Sequence, residues 1–154
     1  MTEPQNAAAD LVVGAAHAAV RRIAPEELPV FDEVAADWRR QLSKGRVSWS
    51  VPQGGVGFGI DVTLVTELAL QVVAAAVGEV LVIGAATVRA GLLRRRRRRE
   101  LPAPPDAPPG LDPEQARRLR EACHRHAVAL GLDAGRAELL ADAAVGAMVD
   151  PPDA

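Results

Sequence analysis

The chain has little cysteine and few aromatic side chains. Its single cysteine, Cys123, excludes an intramolecular disulfide and fits a reducing compartment. Only 3% of its 154 residues are aromatic whereas 49% are hydrophobic, so alanine, valine and leucine must supply most of the buried surface. That composition favours helices packed on helices over a β-sandwich core, and the length suits one small domain with appendages.

The chain also lacks an excess of positive charge. Its formal net charge is −2, so it has no overall electrostatic footprint of a nucleic-acid-binding protein. Residues 1–59 carry 6 basic and 7 acidic groups, residues 60–100 carry 7 and 4, and residues 101–154 carry 5 and 9. Positive charge is therefore concentrated in the middle of the chain. The first 20 residues contain neither Lys nor Arg, so we expect no cleavable signal peptide.

One long hydrophobic stretch extends from residue 61 to residue 93. Its central window, residues 68–88, contains one ionisable side chain, Glu79, and one side-chain amide, Gln71. As a helix this window is roughly 31 Å long, about the thickness of a bilayer's hydrocarbon core. Its Leu, Ile and Val residues favour insertion by roughly 3 to 6 kcal/mol, and Glu79 offsets about half or more of that. The stretch therefore predicts either a transmembrane helix or the buried central helix of a soluble helical domain.

Polar and small residues gather on one narrow stripe of this predicted helix. At 100° per residue they fall within about 60° of one another, with one glutamate at the edge of the stripe. Ala74 and Gly78 form a small-x-x-x-small pair, which lets two helix backbones approach closely. We therefore expect the stripe to be a helix-contact face that supports self-association. The predicted helix-contact stripe consists of Glu67, Gln71, Ala74, Gly78, Glu79, Ala85 and Arg89.

The region before the long helix predicts two helices and a β-hairpin. Residues 7–22 are rich in alanine and end in two arginines, which suit a helix C-terminus. A second helix is expected from Pro25 to about residue 42, with apolar residues on one face and Gly45 as its C-cap. Residues 46–60 alternate polar or glycine with apolar residues on both sides of a Pro-Gln-Gly-Gly turn, which predicts a short glycine-rich hairpin.

Three interpretations of this hairpin compete. A phosphate-binding loop needs a lysine or a G-x-G-x-x-G spacing, and the run from Gly55 to Gly59 has neither. A membrane-interface element is favoured by Trp49 and Phe58, which stand just before the hydrophobic stretch, where aromatic side chains prefer the interface. The simplest interpretation is a plain hairpin packed on the long helix, because two strands alone are barely stable.

A run of six arginines directly follows the hydrophobic stretch. As an orientation signal it would place residues 94–154 on the cytoplasmic side, and as a polybasic patch it would bind anionic lipid headgroups at about 1 kcal/mol per charge. Nucleic-acid tethering by counterion release is disfavoured by the acidic flanks and the absence of stacking aromatics. The remaining interpretation is a solvated helix extension. The run consists of Arg94, Arg95, Arg96, Arg97, Arg98 and Arg99.

The rest of the chain predicts a linker and a helical hairpin. Residues 100–112 are rich in proline, which is typical of a semi-rigid extended spacer. Asp112 is suited to cap the next helix, and Gly131 to end it. Asp133 then opens a further helix that continues to about residue 149. The resulting αα-hairpin, residues 113–150, is small enough to need the long helix or a second copy to pack against.

Candidate chemical groups are scattered rather than clustered. Cys123, His124 and His126 have metal-ligand chemistry, but on a helix the two histidines point about 160° apart, and no further cysteine could complete a zinc site. His17 stands alone among alanines, which is more typical of a packed or surface residue than of a ligand. We therefore expect no metal, no cofactor and no enzymatic activity.

These patterns predict a mainly α fold in four parts. An N-terminal helical segment with the β-hairpin occupies residues 1–60, and the long hydrophobic helix with its arginine run occupies residues 61–99. The Pro-rich linker follows over residues 100–112, and the C-terminal helical hairpin over residues 113–150.

Two functional hypotheses follow from this organisation. The first is a small, non-enzymatic, membrane-associated protein that self-associates through its long helix and presents the C-terminal hairpin as a cytoplasmic docking module; a membrane-perturbing effector is one version of it. The second is a cytoplasmic, soluble helical adaptor or scaffold whose long helix is buried in an oligomer. The expected partners are anionic membrane lipids and a second copy or another protein, whereas nucleic acid is disfavoured.

Overall fold

The computed structural model describes residues 3–45, 65–95 and 111–150 of the chain. Within these ranges the backbone forms five α-helices, and the prediction of a mainly helical protein is confirmed there. The helices are α1 (Glu3–Ile23), α2 (Leu28–Ser43), α3 (Val65–Arg95), α4 (Pro113–Ala129) and α5 (Ala134–Val149).

Local sequence signals account for the ends of α4 and α5. Asp112 accepts a hydrogen bond from the backbone N–H of Gln115 at 2.8 Å, and the Gln115 side chain accepts one from the Asp112 N–H at 3.0 Å. This reciprocal pair is a capping box, and it satisfies two backbone donors that the first turn leaves without a helical partner. Asp133 caps α5 in a similar way, through the N–H of Arg136 at 3.0 Å. Both aspartates therefore act as predicted.

Glycines with left-handed backbone geometry follow α2 and α4. Gly45 has a φ of 66° and Gly131 a φ of 98°, a region that side-chain-bearing residues rarely adopt. The amide of Gly131 donates to the carbonyl of Val128 at 3.0 Å, and that of Gly45 donates to Leu42 at 3.0 Å. These bonds satisfy carbonyls of the last turn, so the two predicted C-cap glycines are confirmed.

The start of the second helix differs from the prediction. Pro25 opens a short 3-10 turn, Pro25–Glu27, and the α-helix begins only at Leu28. Pro29 then lies in the first turn of α2, where its missing N–H costs no helical hydrogen bond. The early proline is therefore accommodated by a change of helix type just before it.

Four of the helices pack in a closed ring in which each contacts two neighbours. α1 packs on α5, α5 on α4, α4 on α3 and α3 on α1, while α2 lies against α1 and α3. Most of the buried side chains are Ala, Val and Leu, and the largest fully buried one is Phe31 of α2. The small side chains let the helices approach closely, as the composition indicates.

The first half of α3 is enclosed by the other helices. From Leu68 to Val80 every residue is buried except Gln71, Gly78 and Glu79. Burial of each Leu or Val side chain stabilises the fold by about 1.5 to 3 kcal/mol, so this half supplies a large part of the core. The α3 backbone continues for a further 15 residues, 81–95, as the distal half of the helix.

Two predictions find no support in this part of the chain. The described ranges contain no β-strand, and the predicted hairpin of residues 46–60 lies outside them. Among the residues that can be assessed, no helix is long and apolar enough to cross a bilayer, whereas a transmembrane helix was one of the two predictions for residues 61–93. The apolar residues of α3 whose side chains are described, up to Val80, pack against helices of the same chain.

Candidate functional site

The structure separates the residues of the predicted helix-contact stripe. Glu67 and Gln71 are exposed, whereas Ala74 is buried against the neighbouring helices. Gly78 and Glu79 are half-buried. The described part of the stripe therefore ranges from solvent to core within four helical turns, and Ala74 contacts the protein's own core rather than an open surface.

Glu79 joins α3 to α4 through two basic side chains. Its carboxylate accepts two hydrogen bonds from Nη2 of Arg125, at 2.6 Å to Oε2 and 2.8 Å to Oε1. Nε2 of His126 lies 3.2 Å from Oε2 of the same carboxylate. The cluster thus consists of one acid from the middle of α3 and two consecutive residues near the end of α4.

The electrostatics of this cluster stabilise the ionised carboxylate. Partial burial, the largest single influence, raises the pKa of Glu79, but the hydrogen bonds and charges of Arg125 and His126 together lower it below its ordinary value of 4.5. The Glu79 side chain is 39% exposed and that of Arg125 57%, whereas His126 is 17% exposed. Solvent therefore screens the Arg125 contact more than the His126 contact.

The periodicity of α4 explains why its two residues reach Glu79. Leu119, Cys123 and Ala127 are buried at intervals of four residues and set the core-facing side of the helix. His126 is adjacent to that side, whereas Arg125 is exposed and its long side chain reaches Glu79 from the solvent side. Chemically the arrangement is a charged clamp between two helices.

A second carboxylate binds the start of α3. Glu27, in the 3-10 turn before α2, accepts hydrogen bonds from the backbone N–H of Val65 at 3.0 Å and of Thr66 at 2.8 Å. It also accepts one from the hydroxyl of Thr66 at 2.8 Å. Thr66 is fully buried, so this contact satisfies a polar side chain within the core. The negative charge of Glu27 also interacts favourably with the positive, N-terminal end of the α3 helix dipole.

The possible metal ligands on α4 are buried, half-buried or in contact with other side chains of the protein. Cys123 is fully buried, and burial raises the pKa of its thiol to about 12, which holds it as a neutral thiol. His126 contacts Glu79, and His124 is half-buried. Among the side chains that the structure describes, no group of three His, Cys, Asp or Glu residues could hold a metal ion.

Several residues predicted to be functional lie outside the described side chains. Arg94 and Arg95 belong to the α3 backbone, as do Ala85 and Arg89, but their side chains are not among those described. The remaining residues of this kind are Trp49, Phe58, Arg96, Arg97, Arg98 and Arg99.

Sequence reasoning missed the partners of both carboxylates. Arg125 lies 46 positions from Glu79, and Glu27 lies 38 positions from Val65, so no local spacing relates them. The only signal for Glu79 was its isolation in an apolar window, because a buried carboxylate requires a basic partner. That signal predicts that a partner exists without identifying it.

Comparisons with protein-family models, curated proteins and solved structures yield no match, so no relative assigns a function to the charged clamp or to the bundle around it.

Proposed function

We propose that the protein is a non-enzymatic helical adaptor that self-associates through the distal half of α3, residues 81–95. The observation that carries this proposal is the burial pattern of α3. Its first half, residues 68–80, packs inside the protein's own core, and the same helix continues to Arg95. The distal half therefore extends from a fixed base that the charged clamp at Glu79 helps to hold.

The sequence of the distal half suits contact with another protein surface. It is rich in Leu, Val, Ile and Ala, and it contains three arginines and no acidic residue. The mainly apolar run from residue 81 to residue 93, which Arg89 interrupts, is about 20 Å long as a helix, shorter than the roughly 30 Å core of a bilayer. This length favours burial against a protein over a complete membrane crossing. The part of the predicted helix-contact stripe between Gln71 and Glu79 is less suited to self-association than the distal half. Ala74 and Glu79 already contact helices of the same chain.

The polar groups that the fold brings together support a non-enzymatic role. Glu79 is engaged by Arg125 and His126, and Glu27 is engaged by the start of α3. Both carboxylates contact the helices that they join, and the thiol of Cys123 is buried and neutral. The proposal therefore assigns the protein a binding task and requires no cofactor.

Self-association is tested by light scattering coupled to size exclusion, without detergent and over a hundredfold range of protein concentration. We expect the mass of the wild-type protein to exceed that of a monomer and to rise with concentration. Ile83→Glu places a charge in the distal half and should reduce the mass to that of a monomer, because burial of an unpaired carboxylate is costly.

Leu139→Glu is the matched control, since Leu139 is an exposed leucine on α5, which packs mainly on α1 and α4. It should leave the mass unchanged. A wild-type protein that remains monomeric at every concentration would overturn the proposal.

Attachment to a membrane surface is a second candidate function, favoured by the arginine run. The distal half ends in the first two of six consecutive arginines, Arg94 to Arg99, and each basic residue near an anionic bilayer contributes about 1 kcal/mol. In this version the distal half lies on the membrane, and the C-terminal hairpin, α4 and α5, is displayed on the cytoplasmic side as a docking module. The same segment is used in both candidates, so they differ only in what covers it.

A further inference from the structure

A shallow groove runs over the exposed side of α1, between α2 and α5. Its volume is about 410 Å³, and Gly14 of α1 lies in its floor. A Cβ atom added at Gly14 would meet no other atom within 4 Å, so the absence of a side chain there keeps the groove open. Phe31 of α2 and Met148 of α5 form apolar parts of the two walls.

The surface of this groove is mainly apolar and partly exposed. Leu11 lines it and is 43% exposed, which is high for a leucine of the bundle. His17 lines it as well, with its ring edge-on to Phe31 at a centroid distance of 4.9 Å. A second helix laid along the groove would cover Leu11 and contact both walls, in the manner of helix-in-groove recognition.

The charge at the edge of the groove is negative. Asp10 and Asp32 are its two acidic lining residues, and no lysine or arginine lines it. Arg39 donates to Oδ1 of Asp10 at 2.8 Å from beside the groove, and the Asp10 side chain remains 70% exposed. An occupant that combines apolar side chains with positive charge therefore matches this surface best.

We propose that this groove receives the distal half of α3 from a second copy of the chain. The inference rests on the proposed self-association and identifies the surface that receives the helix. The distal half has the required chemistry, because it is apolar apart from its threonine and three arginines and has no acidic residue. Four further arginines follow it directly, which adds to the attraction towards Asp10 and Asp32.

This contact has a distinctive symmetry. The groove belongs to α1, α2 and α5, whereas the inserted element belongs to α3, so the two copies use different surfaces. Contacts of this heterologous kind form rings or open chains of subunits, whereas a contact between two α3 helices can close as a symmetric dimer. Each copy therefore carries one donor helix and one acceptor groove.

Gly14→Leu tests the acceptor groove by filling its floor. The variant should fold, because leucine has a higher helix propensity than glycine and the position has open space around it. We expect its self-association to weaken by about tenfold or more, since the docked helix would lose its place on α1. Gly146→Leu is the matched control, because Gly146 is an equally open helical glycine that does not line the groove.

Asp32→Lys tests the charge of the groove. It should weaken self-association at low salt, and the difference from wild type should shrink as salt rises, because ions screen exposed charges. Glu33→Lys makes the same charge change at the neighbouring exposed residue, which does not line the groove, and should have a smaller effect.

A mixing experiment decides between the two symmetries. Gly14→Leu keeps its donor helix and Ile83→Glu keeps its groove, so at a concentration where neither variant associates alone, an equimolar mixture should form a one-to-one heterodimer. A mixture that stays monomeric, or a Gly14→Leu protein that assembles like wild type, would overturn the groove as the acceptor site. In the latter case self-association itself would stand, whereas a monomeric wild-type protein would refute the proposed function.

Discussion

Glu79 is a residue of the long helix that forms polar contacts with the C-terminal hairpin. In the sequence it interrupts an apolar window, and in the fold its carboxylate lies between Arg125 and His126. The position combines partial burial, which disfavours the charge, with two basic neighbours that favour it more strongly. The residue that counts most against membrane insertion therefore contributes to helix packing.

Replacing Glu79 with glutamine should destabilise the protein by about 1 kcal/mol at pH 7, less than the loss of a buried charged hydrogen bond, because the side chain is partly exposed. Folding lowers the pKa of Glu79 from 4.5, so its contribution is complete above that pH and is lost as the pH falls through the lowered value. Urea unfolding from pH 7 to pH 3 should therefore show the difference from wild type shrinking below pH 4.5.

Glu67→Gln serves as the control for this pH dependence, because Glu67 is an exposed glutamate on the same helix. A constant difference between wild type and Glu79→Gln over the whole pH range would contradict the assigned role of the carboxylate.

At the scale of elements, α3 receives a cap from elsewhere in the chain. Glu27 accepts three hydrogen bonds from Val65 and Thr66, whereas α4 and α5 are capped by the aspartates just before them. The caps of α4 and α5 follow from local sequence, so they could be predicted. The cap of α3 requires the 3-10 turn and the helix start to meet in space, and no sequence spacing indicates that.

Glu27→Gln should lower the free energy of unfolding by about 1 to 2 kcal/mol, because an amide offers one acceptor oxygen where the carboxylate offers two and loses the charge at the helix start. Hydrogen exchange should locate the effect, with faster exchange at the amides of Val65 and Thr66 than in the rest of the bundle.

Glu26→Gln is the matched control, since Glu26 is the exposed neighbour in the same turn. Equal exchange rates at Val65 and Thr66 in wild type and Glu27→Gln would show that the cap does not hold the first turn of α3.

At the scale of the whole molecule, the chain carries two features of opposite charge. One is the acidic groove over α1, and the other is the distal half of α3 with its arginines. A protein with complementary surfaces of this kind can recruit copies of itself, and an anionic bilayer competes for the same positive segment. Membrane attachment and self-association are thus alternatives that one measurement can separate.

Vesicle flotation tests membrane attachment of the full chain. If the second candidate function holds, the protein floats with anionic vesicles at low salt and is released from them at high salt. It does not bind vesicles of neutral lipid, because the attraction is electrostatic. The variant with all six arginines from Arg94 to Arg99 changed to glutamine should not float. Failure of the wild-type protein to float under any of these conditions would exclude the membrane candidate.

The sequence by itself determined the helical class, the aspartate caps before α4 and α5, and the glycines that end α2 and α4, because these depend on residues within one or two turns of each other. Only the tertiary structure decided that the first half of α3 is enclosed by its own chain, that Glu79 is held by Arg125 and His126, and that a groove opens over Gly14. Those features depend on which helices meet, and contacts between residues far apart in the chain leave no periodic trace in the sequence.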